Sequence, residues 1–309
     1  MRVLVTGACG FVGRFLVKRL CASGQQLITA VQNRECEFGA SVESIVFDLT
    51  NQDEVLQAIH NSQPEVVLHL AAQSDVAKSW ANPGATLEVN TLGTLHLLEA
   101  IRSLPHIRLI NIGSSDEYGL TAQQGIPLTE EAPCRPQNPY AVSKYAAGQL
   151  VLQYARRYQL QVSHLRPFNH FGPGQRTGFV VSDFCSQIVQ LEQQEVVSEI
   201  NVGDLTAQRD FTDVRDVVEA YAMIVEQGLP TGVYSICSGQ PRSAAEVLTA
   251  LMGLAKRPLR FRVSPNLLRP VEVPFFVGSA DKLTQAIGWR PQHDFYASLA
   301  ETLDWWRAQ

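Results

Sequence analysis

Tyr140 and Lys144, four residues apart in NPYAVSK, put a phenol and an ammonium on one face of any helix that carries them. A nearby ammonium favours phenolate and lowers a tyrosine pKa from about 10, which makes the phenol an acid or base usable near neutrality. A surface Tyr–Lys pair without chemistry has the same spacing. A second constellation, Gly113-Ser114-Ser115-Asp116-Glu117-Tyr118-Gly119, follows the apolar run 108–112. If that run is a parallel strand, small hydroxyls arrive at the C-terminal sheet edge, where α/β proteins bind ligands and where a hydroxyl can hold a substrate oxygen. A polar turn with capping Ser and Asp is the compatible alternative.

Cofactor chemistry is suggested at the N-terminus. Gly7, Gly10 and Gly13 form a G-x-x-G-x-x-G turn between the apolar run 2–6 and a helical repeat of Phe11, Val12, Phe15, Leu16 and Leu20. Glycines there let backbone N–H groups approach a pyrophosphate, although a tight strand–helix turn without ligand uses the same residues. After the second strand the chain reads Gln32-Asn33-Arg34, with no acid before Glu35. An Arg at this point accommodates a 2′-phosphate, so NADP(H) is expected through Arg34, with NAD(H) the second choice. Asp48, after the third strand, is placed to meet the adenine amino group or to cap the helix beginning near Thr50.

These residues need a scaffold that ends strands where they stand. Apolar runs at 27–31, 44–47, 65–70, 108–112, 161–166 and 232–237 alternate with helical patterns including 91–103, 141–158 and 213–227. Strands without polar alternation predict a parallel sheet covered on both faces. The expected fold class is α/β, a Rossmann-type doubly wound sheet (1–166 and 209–238) with a smaller mixed α/β substrate domain (167–208 and 239–309). The loops 119–139 and 167–180 are long for connections and invite a functional explanation.

Composition excludes other classes. With 25 Lys+Arg against 30 Asp+Glu the chain carries −5, so no basic excess is available for a run of nucleic-acid phosphates. Cys9, Cys21, Cys36, Cys134, Cys185 and Cys237 show no C-x-x-C pair and no metal-ligand spacing, and read as unpaired thiols in a reducing compartment. No metal site is expected. Nowhere do 18 apolar residues stand together, so the expectation is a soluble cytoplasmic protein.

TGACGFVG (6–13), HLAAQS (69–74), GSSDEYG (113–119), NPYAVSK (138–144), RPFNHFGPGQ (166–175), RDFTDVRD (209–216) and RPVEVPFFVG (269–278) together resemble the extended short-chain dehydrogenase/reductases that act on nucleotide sugars. The resemblance implies Ser114, Tyr140 and Lys144 as the catalytic set, with Lys144 on the nicotinamide ribose. It implies Gly7, Gly10, Phe11, Val12 and Gly13 around the pyrophosphate, and Asp48, Leu49, Leu70, Ala71 and Ala72 along the cofactor groove, with Asn90 on the same side. For the nucleotide sugar it implies Ser114, Ser115, Asn169, Gly178, Arg209, Arg269 and Glu272; arginine suits bidentate diphosphate contacts.

Three reactions fit this resemblance: reduction of a 4-keto sugar, 4,6-dehydration and C4 epimerisation. The last three blocks look most like the GDP-4-keto-6-deoxy-mannose reductases that form GDP-D-rhamnose, which is the expected function. GDP-mannose 4,6-dehydratases carry Thr and, two positions on, Glu where this chain has Ser114 and Asp116, with Glu117 as a neighbouring carboxylate; dehydration is the alternative. A reading of another class is a non-catalytic cofactor sensor, which members lacking the Tyr or Lys become. The family's four-helix-bundle homodimer would use 91–103 and 141–158, with Leu150, Val151 and Tyr154 as seam or plain core.

Overall fold

β-Branched apolar runs form the strands of one large sheet. In the computed structural model, which describes residues 1–32, 38–39, 42–193, 199–268 and 273–309, they are β1 (Arg2–Thr6), β2 (Gln26–Val31), β3 (Glu43–Val46), β4 (Val66–His69), β5 (Arg108–Ile112) and β6 (Gln161–Pro167). Further on come β7 (Asn169–Phe171), β8 (Glu199–Val202), β9 (Gln208–Asp213), β10 (Gly232–Ile236), β11 (Pro241–Ser243), β12 (Arg260–Val263) and β13 (Phe275–Phe276). The seven-stranded sheet has the order β3-β2-β1-β4-β5-β6-β10, every neighbour parallel. The expected α/β doubly wound sheet is therefore present. Its strand order reverses between β1 and β4, which opens a crevice at their C-terminal ends.

Helices cover both faces. The helices α1 (Phe11–Ala22) and α2 (Gln52–Ser62) are followed by the short α3 (Val76–Ala81) and α4 (Pro83–Leu87). Next come α5 (Gly93–Ile101), α6 (Pro139–Tyr158), α7 (Val180–Glu192) and α8 (Val214–Gln227). Leu16 and Leu20 of α1 bury with Val217, Tyr221 and Ile224 of α8 against one face. Val55 and Ile59 of α2, Leu97 and Ile101 of α5 and Val151 and Ala155 of α6 bury against the other. Val151 is thus core rather than a free seam residue, while Leu150 and Tyr154 pack partly buried beside it. At the start of α6, Pro139 occupies the first turn and the Asn138 side chain accepts from Ala141 N, which sets where Tyr140 enters the helix.

The smaller layer holds β7, β9, β11 and β13 in one sheet and β8 with β12 in another. Helices α7, α9 (Ala244–Gly253) and α11 (Phe295–Arg307) close a separate core with Phe171, Phe211 and Leu248. The expected return of 209–238 to the large sheet divides at Asp213: β9 pairs with β7, β11 and β13, whereas α8 and β10 join the large sheet. Residues after 239 do not all stay in the small layer either. Leu283 and Ile287 of α10 (Asp281–Ile287), with Trp289, bury against α8 and β10. Cys21, Cys134, Cys185 and Cys237 are free, but Cys9 is disulfide-bonded, which departs from six unpaired thiols; Cys36 lies outside the described residues. Among the described residues no helix is long and apolar enough to cross a membrane, and no group of three or more metal-ligating side chains gathers.

Candidate active site

The crevice begins at the glycine turn. Gly7 lies at φ +70°, and a Cβ there would stand 2.6 Å from the backbone nitrogen of Ala71; a Cβ on Gly13 would meet the carbonyls of Gly7 and Ala8. Both glycines thus let β1, the turn and β4 approach closely. Helix α1 starts at Phe11 with Gly10 as its cap, no side-chain cap and no acidic residue in the first turn. Its first N–H groups face the turn without an acidic competitor, which fits an anionic diphosphate.

The neighbouring strand end is braced by a buried chain of polar groups. Thr6 Oγ1 lies 2.7 Å from His69 Nδ1, His69 Nε2 lies 3.2 Å from Thr94 Oγ1, and Ala71 N donates to Thr6 Oγ1. Burial, helped by the charge of Lys144, lowers the His69 pKa to about 3, so the ring is neutral. Leu70, Ala71 and Ala72 follow, partly exposed, along the crevice. Asn90 sits in a single π-turn, Glu88–Leu92, and its amide donates to Gln73 O and Ser143 Oγ while accepting from Gln73 N. Asp48 is exposed and accepts from Thr50 N; the cap of α2 is Asn51 instead. Leu49 packs beside Gly93. Arg34 lies outside the described residues.

At the end of β5 the chain turns through the 3₁₀ segment Ser115–Tyr118. Ser114 caps it: its hydroxyl accepts from Asp116 N, while Ser114 N donates to Glu117 Oε1 at 2.9 Å. The Ser114 hydroxyl also acts on the nearby Tyr140 phenol, in the direction that favours phenolate. Lys144 Nζ donates to the Ile112 carbonyl at 2.7 Å, one turn of α6 further on. Ser114, Asp116, Tyr140 and Lys144 therefore converge at one sheet edge.

The electrostatics differ from the simple expectation that Lys144 depresses Tyr140. Burial raises the Tyr140 pKa, and the Asp116 charge adds to it, against the Ser114 hydrogen bond; the phenol holds its proton. Burial lowers Lys144 to about 8, opposed by the charge of Glu117. The site thus presents a neutral phenol beside a hydroxyl, the arrangement of a proton donor.

Glu117, read from sequence as a spare carboxylate, is fully buried beneath this turn. It pairs with Arg166 Nε at 2.9 Å and with His164 Nε2 at 3.0 Å. Burial pushes its carboxyl up, but His164 and Arg166 outweigh that and hold it below the usual range. Glu117 is therefore turned away from the cleft, and Asp116 is the carboxylate of this turn that stays partly exposed.

On the second layer Asn169 and Gly178 are exposed, and Gly178 N donates to Asp183 Oδ1. Arg209 Nη1 donates to the carbonyls of Gln208 and Val273, so this guanidinium braces β9 against the segment entering β13. Ser115 is buried. Arg269 and Glu272 lie outside the described residues. Sequence reasoning missed His170, whose ring stacks on Phe11 at 6.3 Å and 7° while Nδ1 donates to Phe168 O. This contact joins the glycine turn to the second layer, and the RPFNHFGPGQ block was its only signal. A cavity of about 460 Å³ lies elsewhere, among Phe211, Asp213, His293 and Phe295, and holds none of the predicted site residues.

Comparison with known proteins adds to this geometry. Residues 4–302 match the family described as GDP-mannose 4,6 dehydratase. GDP-6-deoxy-D-mannose reductase of Pseudomonas aeruginosa is 35% identical over 310 residues, covering 100% of this chain and 98% of that protein. The solved structure of RMD from Pseudomonas aeruginosa complexed with NADPH superposes with a TM-score of 0.84 at 33% identity, covering 99% of each chain. Thermus thermophilus UDP-glucose 4-epimerase in complex with NAD superposes with a TM-score of 0.88 at 31% identity, covering 99% of each chain.

Proposed function

Because this chain belongs to the GDP-mannose 4,6 dehydratase family, we propose that it reduces the C4 ketone of GDP-4-keto-6-deoxy-D-mannose to GDP-D-rhamnose, with NADPH as preferred reductant and NADH as second choice. The observation that carries this reading is the convergence of Ser114, Asp116, Tyr140 and Lys144 at the sheet edge, with the Tyr140 phenol kept protonated by burial. The full-length likeness to a GDP-6-deoxy-D-mannose reductase and to an NADPH-bound structure supports it.

The cofactor fits the residues present: close-packed Gly7 and Gly13 and the uncapped start of α1 suit its diphosphate, with Phe11 and Val12 in the first turn. Asp48, Leu49, Leu70, Ala71 and Ala72 would line its groove, and Lys144 would hold the nicotinamide ribose. When bound there, the cofactor would supply the hydride for C4. Ser114 polarises the C4 carbonyl, and Tyr140 gives its proton to the developing alkoxide. Lys144 would then return a proton from solvent to the phenolate so left. Asn169, Gly178 and Arg209 face the sugar nucleotide from the second layer.

Dehydration of GDP-mannose is the second reading, and the family model favours it. With Glu117 buried in an ion pair, Asp116 would have to serve the C5 proton, one methylene shorter than glutamate. The two readings separate in one assay: stoichiometric NADPH oxidation with the keto sugar supports reduction, and conversion of GDP-mannose to keto sugar without net NADPH loss supports dehydration. The presence of Ser114, Tyr140 and Lys144 together counts against a non-catalytic cofactor sensor.

We further propose a cytoplasmic homodimer paired through α5 and α6. Trp80 at 63% exposure, with exposed Leu87, Leu92 and Val142, provides apolar surface along α3, α4, the π-turn and α6 that a second copy would cover.

A further inference from the structure

Glu117 takes no part in the proton and hydride transfers above, yet it touches the loop that performs them. Its carboxylate has no solvent exposure and is gripped from two sides, by Ser114 N of the turn and by His164 and Arg166 of β6. The Asn111 amide nitrogen of β5 lies 2.8 Å from His164 Nδ1, so in this arrangement Nδ1 accepts and the Nε2 proton points at Glu117. Two glycines keep the slot for the imidazole open: a Cβ on Gly113 would lie 2.6 Å, and one on Gly148 2.5 Å, from His164 Nε2. The Arg166 guanidinium is in turn sandwiched against the Tyr118 ring, 4.7 Å from its centroid. A buried hydrogen-bonded network of this kind, in which Arg166 Nη1 alone of the described polar atoms around Glu117 lacks a partner, restrains the carboxylate at its centre.

From this geometry we infer that Glu117 is the positioning residue of the active site: it fixes the Ser114 amide, and so the hydroxyl near Tyr140, and, held at Ser114 N two residues along the same strand end from the Ile112 carbonyl that holds Lys144 Nζ, it is the buried counter-charge of that ammonium. The inference rests on the reductase reading for its kinetic effect but not for its charge effect. Glu117 is faced by His164 and Arg166 from β6, by Lys144 and Tyr140 from α6 and by Cys134 from the loop before α6. Lys144 is also faced by His69 of β4, and Tyr140 by Asp116 and by Tyr221 of α8. Of these, Glu117 is the group whose negative charge favours the Lys144 ammonium.

The test compares wild type with Glu117→Gln and Glu117→Asp. Glu117→Gln keeps the shape and loses the charge, so kcat should fall about tenfold with KM within about twofold. Its alkaline limb should move about one pH unit towards acid, because Lys144 loses its counter-charge. Glu117→Asp keeps the charge and draws back from Ser114 N, so the limb should stay in place while kcat falls several-fold. A reduced kcat in Glu117→Gln with the limb unmoved would mean a merely structural role and overturn the inference. If Glu117→Gln does not fold, Glu117→Asp decides, and wild-type kcat in that variant overturns it. NADPH affinity against pH, read from the fluorescence of the reduced nicotinamide, needs no sugar: its alkaline loss should shift in Glu117→Gln as the kcat limb does. Failure of wild type to oxidise NADPH with the keto sugar would count against the reductase reading alone.

Discussion

Tyr140 is where the chemistry is most exposed to a single substitution. If it donates the proton, Tyr140→Phe should reduce kcat by about 10²- to 10⁴-fold while NADPH affinity changes little, as steady-state rates and fluorescence titration would show. Asp116→Asn separates the two family reactions: reduction should stay within about threefold of wild type, whereas a dehydratase would be crippled. Lys144 gives the pH dependence. Burial lowers its pKa from the ordinary lysine range to about 8, so the ammonium is intact below that pH and lost above it. Activity should therefore be level below about pH 8 and fall towards tenfold per unit above it, checked by kcat against pH. The i, i+4 spacing and the strand-end position made Tyr140, Lys144 and Ser114 legible in sequence. Glu117 was not, because its burial comes from His164 and Arg166, which lie 47 and 49 residues away.

Strands and helices with strong local patterns were read to within about two residues: the apolar run 161–166 is the strand 161–167, and the pattern 141–158 is the helix Pro139–Tyr158. Short elements escaped. Asn169–Phe171 and Pro241–Ser243 are three residues each, too few for a period, and they become strands only because β9 stands beside them. The π-turn at Glu88–Leu92 reads as ordinary helix in sequence, and it exists where Asn90 bonds Gln73 and Ser143. Element packing yields its own prediction. Gly148 lies in α6 against the His164 ring, so Gly148→Ala should destabilise by about 1–3 kcal/mol through overpacking, measured by denaturant unfolding. Gly13→Ala, whose Cβ would strike the Gly7 and Ala8 carbonyls, should cost NADPH affinity at least about tenfold.

The whole molecule places a parallel-sheet crevice against a smaller layer, and the contact of Phe11 with His170 joins the two beside the glycine turn. Regular alternation gives way after residue 167, where β6 ends and the chain enters β7 of the smaller sheet, whereas the recrossing of Leu283, Ile287 and Trp289 left no sequence signal, being set by burial against α8 and β10. At this scale the pairing of chains is testable: a double Leu92→Glu, Val142→Glu variant, altered at the residue entering α5 and in α6, should elute as a monomer by light scattering if these helices form the dimer face, and an unchanged mass would place the interface elsewhere. The central claim is tested most directly by mixing the purified protein with NADPH and GDP-4-keto-6-deoxy-D-mannose and following reduced-nicotinamide absorbance, with GDP-mannose in a parallel reaction. One NADPH oxidised per keto sugar consumed, with GDP-mannose untouched, is the predicted result. No oxidation, with GDP-mannose converted to its keto sugar, would contradict it.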